Sequence, residues 1–85
     1  MNRRKLLKKL AQGHVKNVSF SDFVTLIGGF GFREVRQEAS HYVFARAQVS
    51  ELLNLQAVRG EAKPYQIRQF LRLVERYNLQ LEDES

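Results

Sequence analysis

The β-sheet of this protein is predicted from residues 32–58, which read FREVRQEASHYVFARAQVSELLNLQAV. Short runs of β-branched and aromatic residues separated by polar residues are typical of strands joined by tight connections. The pattern predicts strands at 32–37, 41–46 and 52–58, with a turn at 38–40 and a loop at 47–51. Because these connections are short, the three strands are expected to form an antiparallel meander.

The third predicted strand alternates apolar and polar side chains. Successive side chains of a strand point to opposite faces of the sheet. Leu53, Leu55 and Ala57 are therefore expected to face the core, and Asn54 and Gln56 to face outward.

A helix is predicted over residues 19–30, immediately before the strands. Ser19 suits the N-cap, Asp22 stands three residues later, and the glycines from Gly28 onward end the helix. The apolar residues follow helical spacing: Phe20, Phe23, Val24, Ile27 and Phe30.

A second helix is predicted to follow the strands, after a polar loop at 59–63. Pro64 suits its first position and Asn78 its C-terminal cap. One apolar face is formed by Ile67, Phe70, Leu71, Val74 and Tyr77. The order helix, strand, strand, strand, helix predicts an α+β fold, with the helices on one face of a three-stranded antiparallel sheet.

An extra helix is predicted at 3–12 within a basic N-terminal extension, residues 1–16. Its basic side could contact phosphate, although the simpler interpretation is a solvated helix that hangs off the domain. Residues 17–79 are then the domain itself, and residues 80–85 an acidic tail.

Composition restricts the class of protein. The chain has 85 residues, no cysteine and a net charge of +5, from 14 basic and 9 acidic residues. This length suits one small domain, and the lack of cysteine excludes disulfides and cysteine-based zinc sites. The basic charge favours a polyanionic partner such as nucleic acid, although many basic domains bind none.

His41 is the candidate catalytic residue. It opens a strand directly after a tight turn, where a side chain can meet substrate while its backbone is held. Imidazole titrates near neutrality and can take a proton from the ribose 2′-hydroxyl of RNA or return one to a leaving oxygen. The alternative is a half-buried histidine bonded to the backbone. No histidine lies beside carboxylates at metal-ligand spacing, so we expect no metal and no cofactor.

Positive charge that could hold RNA is predicted on the last helix. Arg68, Arg72 and Arg76 follow each other at four-residue intervals, and Lys63 stands where free backbone N–H groups favour an anion. Arg46 and Arg59 are weaker candidates. An ordinary solvated helix face is the alternative.

Five stretches of the chain resemble the HicA family of mRNA-cleaving toxins, in its longer form with a basic N-terminal helix. Together they cover roughly residues 17–79, and their order is more specific than any one of them. They are VSFSDF at 18–23, GF at 31–32, ASHYVF at 39–44, ELLNLQ at 51–56 and AKPYQIRQFL at 62–71.

The resemblance implies a fold similar to the double-stranded RNA-binding domain, cleavage of mRNA, and inhibition by a HicB-type antitoxin in a prokaryotic cytoplasm. It maps the catalytic histidine of the family onto His41, with Ala39, Ser40 and Tyr42 supporting the site. Ala39 stands where the family usually has glycine, and Tyr42 where a second histidine is common. If the turn requires a positive φ, Ala39 is strained.

Two other functions stay open at this point. A fold of this type can bind duplex RNA without cutting it, through shape and phosphate contacts. A protein-interaction adaptor would use Tyr42 and Phe44, if these aromatic side chains are exposed.

Overall fold

Three helices and a four-stranded antiparallel sheet make up the computed structural model, which describes residues 2–82. The α+β class is confirmed. Residues 83–85 of the predicted acidic tail lie outside the described residues. The elements are α1 (Arg3–Ala11), α2 (Phe20–Gly29), β1 (Arg33–Glu38), β2 (His41–Arg46), β3 (Val49–Val58), β4 (Glu61–Ala62) and α3 (Pro64–Tyr77).

The prediction of three strands is wrong by one, because β4 lies within the segment predicted as a polar loop. The strands follow each other in the order β1-β2-β3-β4, and Ala62 pairs with Ala57. Arg59 and Gly60 have φ values of 54° and 78°. Two consecutive residues with positive φ form a type I′ turn, which reverses the chain within two residues and lets so short a strand pair.

Strand β3 begins at Val49, three residues before the predicted start, so the predicted loop at 47–51 shrinks to a two-residue turn. Arg46 pairs with Val49 across that turn, and a register shift between Phe44 and Arg46 accommodates the longer strand. Val49 is buried. Burying this side chain in the core extends the strand into a stretch whose local composition favours a loop.

The core forms on one face of the sheet. Leu53 and Leu55 are fully buried as predicted, whereas Ala57 is only half-buried. Phe70 of α3 makes edge-to-face contacts with Phe23 and Phe30, at centroid distances of 5.6 and 5.3 Å. Such contacts contribute about 0.5–1.5 kcal/mol each beyond the burial of apolar area. They fasten α2 and α3 to each other over the sheet.

The opposite face of the sheet carries no helix in the described chain. Its side chains include His41, Asn54 and Leu52, and all three are exposed. The period-two alternation of β2 and β3 therefore separates an apolar face under the helices from a face without helices, on which Val43 of β2 is nonetheless buried.

Helix α1 is docked rather than solvated, contrary to the simpler interpretation of the sequence. Leu10 is 1% exposed and belongs to the main core, and Leu6 and Leu7 pack against that core. Arg3 lies against Gly29 at the end of α2, so α1 runs back along α2 towards its beginning. None of the helices within residues 2–82 is long and apolar enough to cross a membrane.

Candidate active site

One end of the sheet gathers the turn before β2, the turn before β4 and the beginning of α3. His41 is the first residue of β2, and its cross-strand neighbours are Glu38 on β1 and Gln56 on β3. Two residues after Gln56, β3 ends at Val58. The short connections that follow bring Lys63 and the start of α3 to the same end as His41.

His41 makes a side-chain bond to Asn54. The distance from Nδ1 of His41 to Oδ1 of Asn54 is 3.0 Å. An amide oxygen only accepts hydrogen bonds, so Nδ1 carries the hydrogen in this arrangement. Nε2 of the neutral ring is then the acceptor, on an exposed side chain. This is the tautomer in which a histidine can take a proton from a substrate.

A second chain of hydrogen bonds runs beside this pair. Nζ of Lys63 donates to Oε1 of Gln56, and Nε2 of Gln56 donates to Oγ of Ser40, each at a distance of 3.0 Å. Gln56 thus uses both ends of its amide to connect the start of α3 with the turn that precedes His41. The Lys63 ammonium is thus bonded to the side chain of the residue that pairs with His41 across the sheet.

Gln66 of α3 fixes the strand that carries both partners. It is only 1% exposed, and its side chain lies at the edge of β3 that β4 does not reach. Its Oε1 accepts from the backbone N–H of Gln56 at 3.3 Å, and its Nε2 donates to the backbone carbonyl of Asn54 at 3.2 Å. A buried amide that replaces a missing strand in this way satisfies the backbone and holds its position.

The site-supporting residues of the turn are placed differently from one another. Ser40 belongs to the hydrogen-bond chain, whereas Tyr42 points to the helix face, where its ring lies 5.6 Å from that of Phe20. Phe44 is buried. The adaptor hypothesis required exposed aromatic side chains at Tyr42 and Phe44, and the structure gives it no support.

Ala39 has a φ of 55°, so the turn does require a positive φ. Ala39 and Ser40 form a two-residue connection between the paired residues Glu38 and His41. Only its first residue has a positive φ, as in a type II′ turn, where glycine is preferred. Ala39 is therefore strained, because the positive φ on which the sequence analysis made this strain conditional is present.

Replacing Ala39 by glycine should stabilise the protein. Relief of a left-handed alanine contributes about 1–2 kcal/mol, and the added freedom of the unfolded chain offsets about 0.4–1 kcal/mol of it. We expect a net gain of about 1 kcal/mol, measured by urea unfolding. Ser40→Gly is the matched control, because φ at Ser40 is not positive, and it should destabilise. A loss of stability in Ala39→Gly would show that the turn carries no strain.

The predicted RNA-binding arginines do not all lie near His41. Arg46 is at the other end of β2, five residues from His41, which corresponds to about 16 Å at the rise of a β-strand. Its guanidinium donates to the carbonyls of Phe30 and Ala47 at 2.6 and 2.9 Å, and it lies 3.6 Å from Glu82. The guanidinium of Arg46 is thus occupied by contacts within the protein. Arg59 lies in the β3–β4 turn, at the same end as His41.

The predicted stripe on α3 leads away from the site. Gln66 meets the His41 end of β3, while Tyr77 donates to Glu51 near its start, at 2.5 Å. Arg72 lines a hollow with Glu51 and Arg76 and so lies at the far end. Arg68 stands two residues after Gln66, about 200° round the helix, and faces away from β3. Of the predicted phosphate contacts, Lys63 and Arg59 are those at the end of His41.

A carboxylate with a lowered pKa, that of Glu51, lies at this far end. The hydroxyl of Tyr77 donates to its carboxylate and lowers the pKa of Glu51, and Ser50 and the Arg76 guanidinium, 3.4 Å away, act in the same direction. The cluster joins the last turn of α3 to the start of β3. It is a structural contact, remote from His41.

Three residues of the site were not singled out from sequence: Asn54, Gln56 and Gln66. A signal existed for the first two, because alternation predicted that both face outward from the same strand. No sequence signal points to Gln66, because its partners are backbone atoms on another element.

Comparison of the chain with protein-family models, curated proteins and solved structures finds no match. Within residues 2–82, no three His, Asp or Glu side chains cluster closely enough to hold a metal ion.

Proposed function

We propose that this protein is a metal-independent endoribonuclease in which His41 transfers the proton of a ribose 2′-hydroxyl. The observation that carries the proposal is the bond between Nδ1 of His41 and Oδ1 of Asn54, which leaves Nε2 exposed and free to accept a proton. A nucleophile, a base and an orienting amide form the same kind of arrangement in cysteine proteases. Here the substrate supplies the nucleophile.

The reaction follows from these groups. Nε2 removes the proton of the 2′-hydroxyl, and the 2′-oxygen forms a bond to the adjacent phosphorus. The bond from phosphorus to the 5′-oxygen breaks, and that oxygen is protonated from solvent. The products are a 2′,3′-cyclic phosphate and a 5′-hydroxyl. Because the attacking oxygen is already part of the RNA, no metal-bound water is needed as the nucleophile.

Lys63 supplies positive charge beside the base. Its ammonium is held by Gln56, whose backbone is opposite His41 in the sheet. A fixed cation near the scissile phosphate stabilises the charge that develops on the phosphoryl oxygens. The lysine is already oriented before substrate binds, so little reorganisation is required.

The resemblance to HicA toxins supports the biological role within the proposal. In that role the protein is the toxin of a type II toxin–antitoxin pair, with a fold like that of the double-stranded RNA-binding domain, and a HicB-type antitoxin silences it in the cytoplasm. The net charge of +5 favours an acidic inhibitor, which long-range attraction would steer to the RNA site. The α-β-β-β-α order within residues 20–77 is compatible with this fold, with β4 as a short addition.

Cleavage of end-labelled RNA by the purified protein tests the proposal. We expect cleavage to survive EDTA and to stop when the nucleotide before the scissile bond is 2′-deoxy. The products should carry 2′,3′-cyclic phosphate and 5′-hydroxyl ends. A strict requirement for Mg²⁺, or cleavage of the 2′-deoxy substrate, would contradict the mechanism. Binding without any cleavage would instead favour a non-catalytic RNA-binding module.

A further inference from the structure

Two adjoining hollows continue from Lys63 around the end of the molecule. The first is lined by Lys63 and Arg59, together with Glu61, and the second by Lys9, His14 and Lys16, together with Asp22. Asn17 lines both hollows, so they meet there. We call the four side chains Lys63, Arg59, Lys16 and Lys9 the basic track.

The backbone fixes the two hollows relative to each other. The N–H of Ala62 donates to the carbonyl of Val18 at 2.9 Å, and the N–H of Phe20 donates to the carbonyl of Gly60 at 2.8 Å. Lys63 directly follows Ala62, and Lys16 stands two residues before Val18. The basic track therefore crosses from the sheet to the helix layer over a rigid junction.

Lys16 is presented by a well-anchored segment. Val15 and Val18 on either side of it are 5% and 6% exposed, while Lys16 itself is exposed. The N–H of His14 donates to the carbonyl of Lys9 at the end of α1. Because the apolar neighbours hold the backbone, the lysine can meet a ligand without ordering the loop first.

The cations of the basic track outnumber the acids beside them. Four Lys and Arg side chains line the hollows against two carboxylates, those of Glu61 and Asp22. Within residues 2–82, no ion pair joins any of the four cations to a carboxylate. Their charge is therefore available to an anion, in contrast to that of Arg46, which is paired with Glu82.

We propose that the basic track holds the single strand of RNA that extends from the phosphate cleaved at His41. This inference rests on the proposed function and names the substrate class and its path, which differs from the arginine stripe on α3. The track passes from the sheet to the helix layer of a molecule that measures 33 × 30 × 22 Å. A nucleic-acid duplex is stiff over such a distance, with a persistence length of about 50 nm in DNA, so bending it costs energy, whereas a single strand follows the surface without that cost.

Salt-dependent binding of fluorescent single-stranded RNA tests the proposed path. His41→Ala protein is used, so that the RNA stays intact. Lys9→Gln with Lys16→Gln removes two charges from the basic track, and Arg68→Gln with Arg72→Gln removes two from exposed positions on α3. With about 0.7 ions released per phosphate contact on a single strand, the first pair should lower the slope of log K against log salt by about 1.4. The matched α3 pair should leave the slope unchanged.

A second measurement locates the effect along the RNA. An oligonucleotide trimmed to the scissile step should bind the Lys9→Gln/Lys16→Gln protein as it binds the parent, because it is too short to reach these lysines. Thermal unfolding of both double variants controls for the fold. Replacing exposed side chains should leave it intact.

The outcomes separate the two proposals. An unchanged slope in the track variant, or a reduced slope only in the α3 variant, would overturn the basic track even if wild-type protein cleaves RNA. A reduced slope in the track variant, together with wild-type protein that binds but never cleaves, would support the track and reject the nuclease mechanism. Equal affinity for a duplex of the same sequence would overturn the inference of a single strand.

Discussion

Replacement of His41 by alanine should lower the rate of RNA cleavage by about 10²–10⁴-fold, the usual contribution of one positioned acid or base. The side chain is exposed and its one described hydrogen bond is to Asn54, so the fold should be unaffected. Cleavage rates under single-turnover conditions, with RNA binding measured in parallel, separate loss of proton transfer from loss of affinity. We expect the single-turnover rate constant of cleavage to fall and binding to change little.

Growth after induced expression provides the corresponding cellular measurement. Wild-type protein should arrest growth, and His41→Ala should not. Arg72→Ala is the matched control, because Arg72 is exposed and lies at the far end of α3. If His41→Ala cleaves RNA at the wild-type rate, the histidine is structural and the proposed mechanism is wrong.

Replacement of Asn54 by alanine should reduce kcat by about 10–100-fold, which is the loss that follows when the partners that orient metal-bound histidines are removed. The loss follows because Nδ1 of His41 no longer has a fixed acceptor and the ring can adopt the other tautomer and other rotamers. KM should change much less, since Asn54 orients the base rather than the RNA. Steady-state cleavage rates over a range of RNA concentrations measure both quantities.

Asn54→Asp distinguishes orientation from a merely structural contact. The carboxylate keeps an oxygen to accept from Nδ1 and adds a negative charge, which favours the imidazolium form of a neighbouring histidine. A general base works only when it is unprotonated. The acid limb of the pH–rate profile should therefore move to higher pH, with activity approaching the wild-type rate at alkaline pH. An unshifted profile would show that Asn54 does not act through His41.

Local patterns in the sequence were sufficient for the elements that local physics stabilises. Ser19 caps α2 and accepts from the N–H of Asp22, Pro64 opens α3, and Asn78 ends α3 with a φ of 52°. Each of these depends on backbone groups within a few residues. The same holds for β2, whose bounds match the prediction, and for the alternation that places Leu53 and Leu55 inward.

Elements stabilised by distant contacts could not be predicted in this way. Strand β4 is only two residues long, and beyond its hairpin pairing with β3 it is held by Val18, whose carbonyl accepts from the N–H of Ala62. Helix α1 carries the charge of a solvated helix, yet burial of Leu10 in the core docks it against α2. In both cases the stabilising partner lies elsewhere in the chain, and no local propensity reports it.

For the candidate site, the sequence by itself determined the chemistry that is available: one histidine at the start of a strand, polar residues at alternate positions of another strand, and a lysine before a helix. The tertiary structure alone decided which of these meet. Antiparallel pairing sets Gln56 opposite His41, the side chain of Gln66 binds the edge of β3, and Lys63 donates to Gln56. Arg68 and Arg72 are directed away from this site. The physical reason is that residue types and spacing specify local conformation, whereas register and packing across the core specify which side chains share a surface.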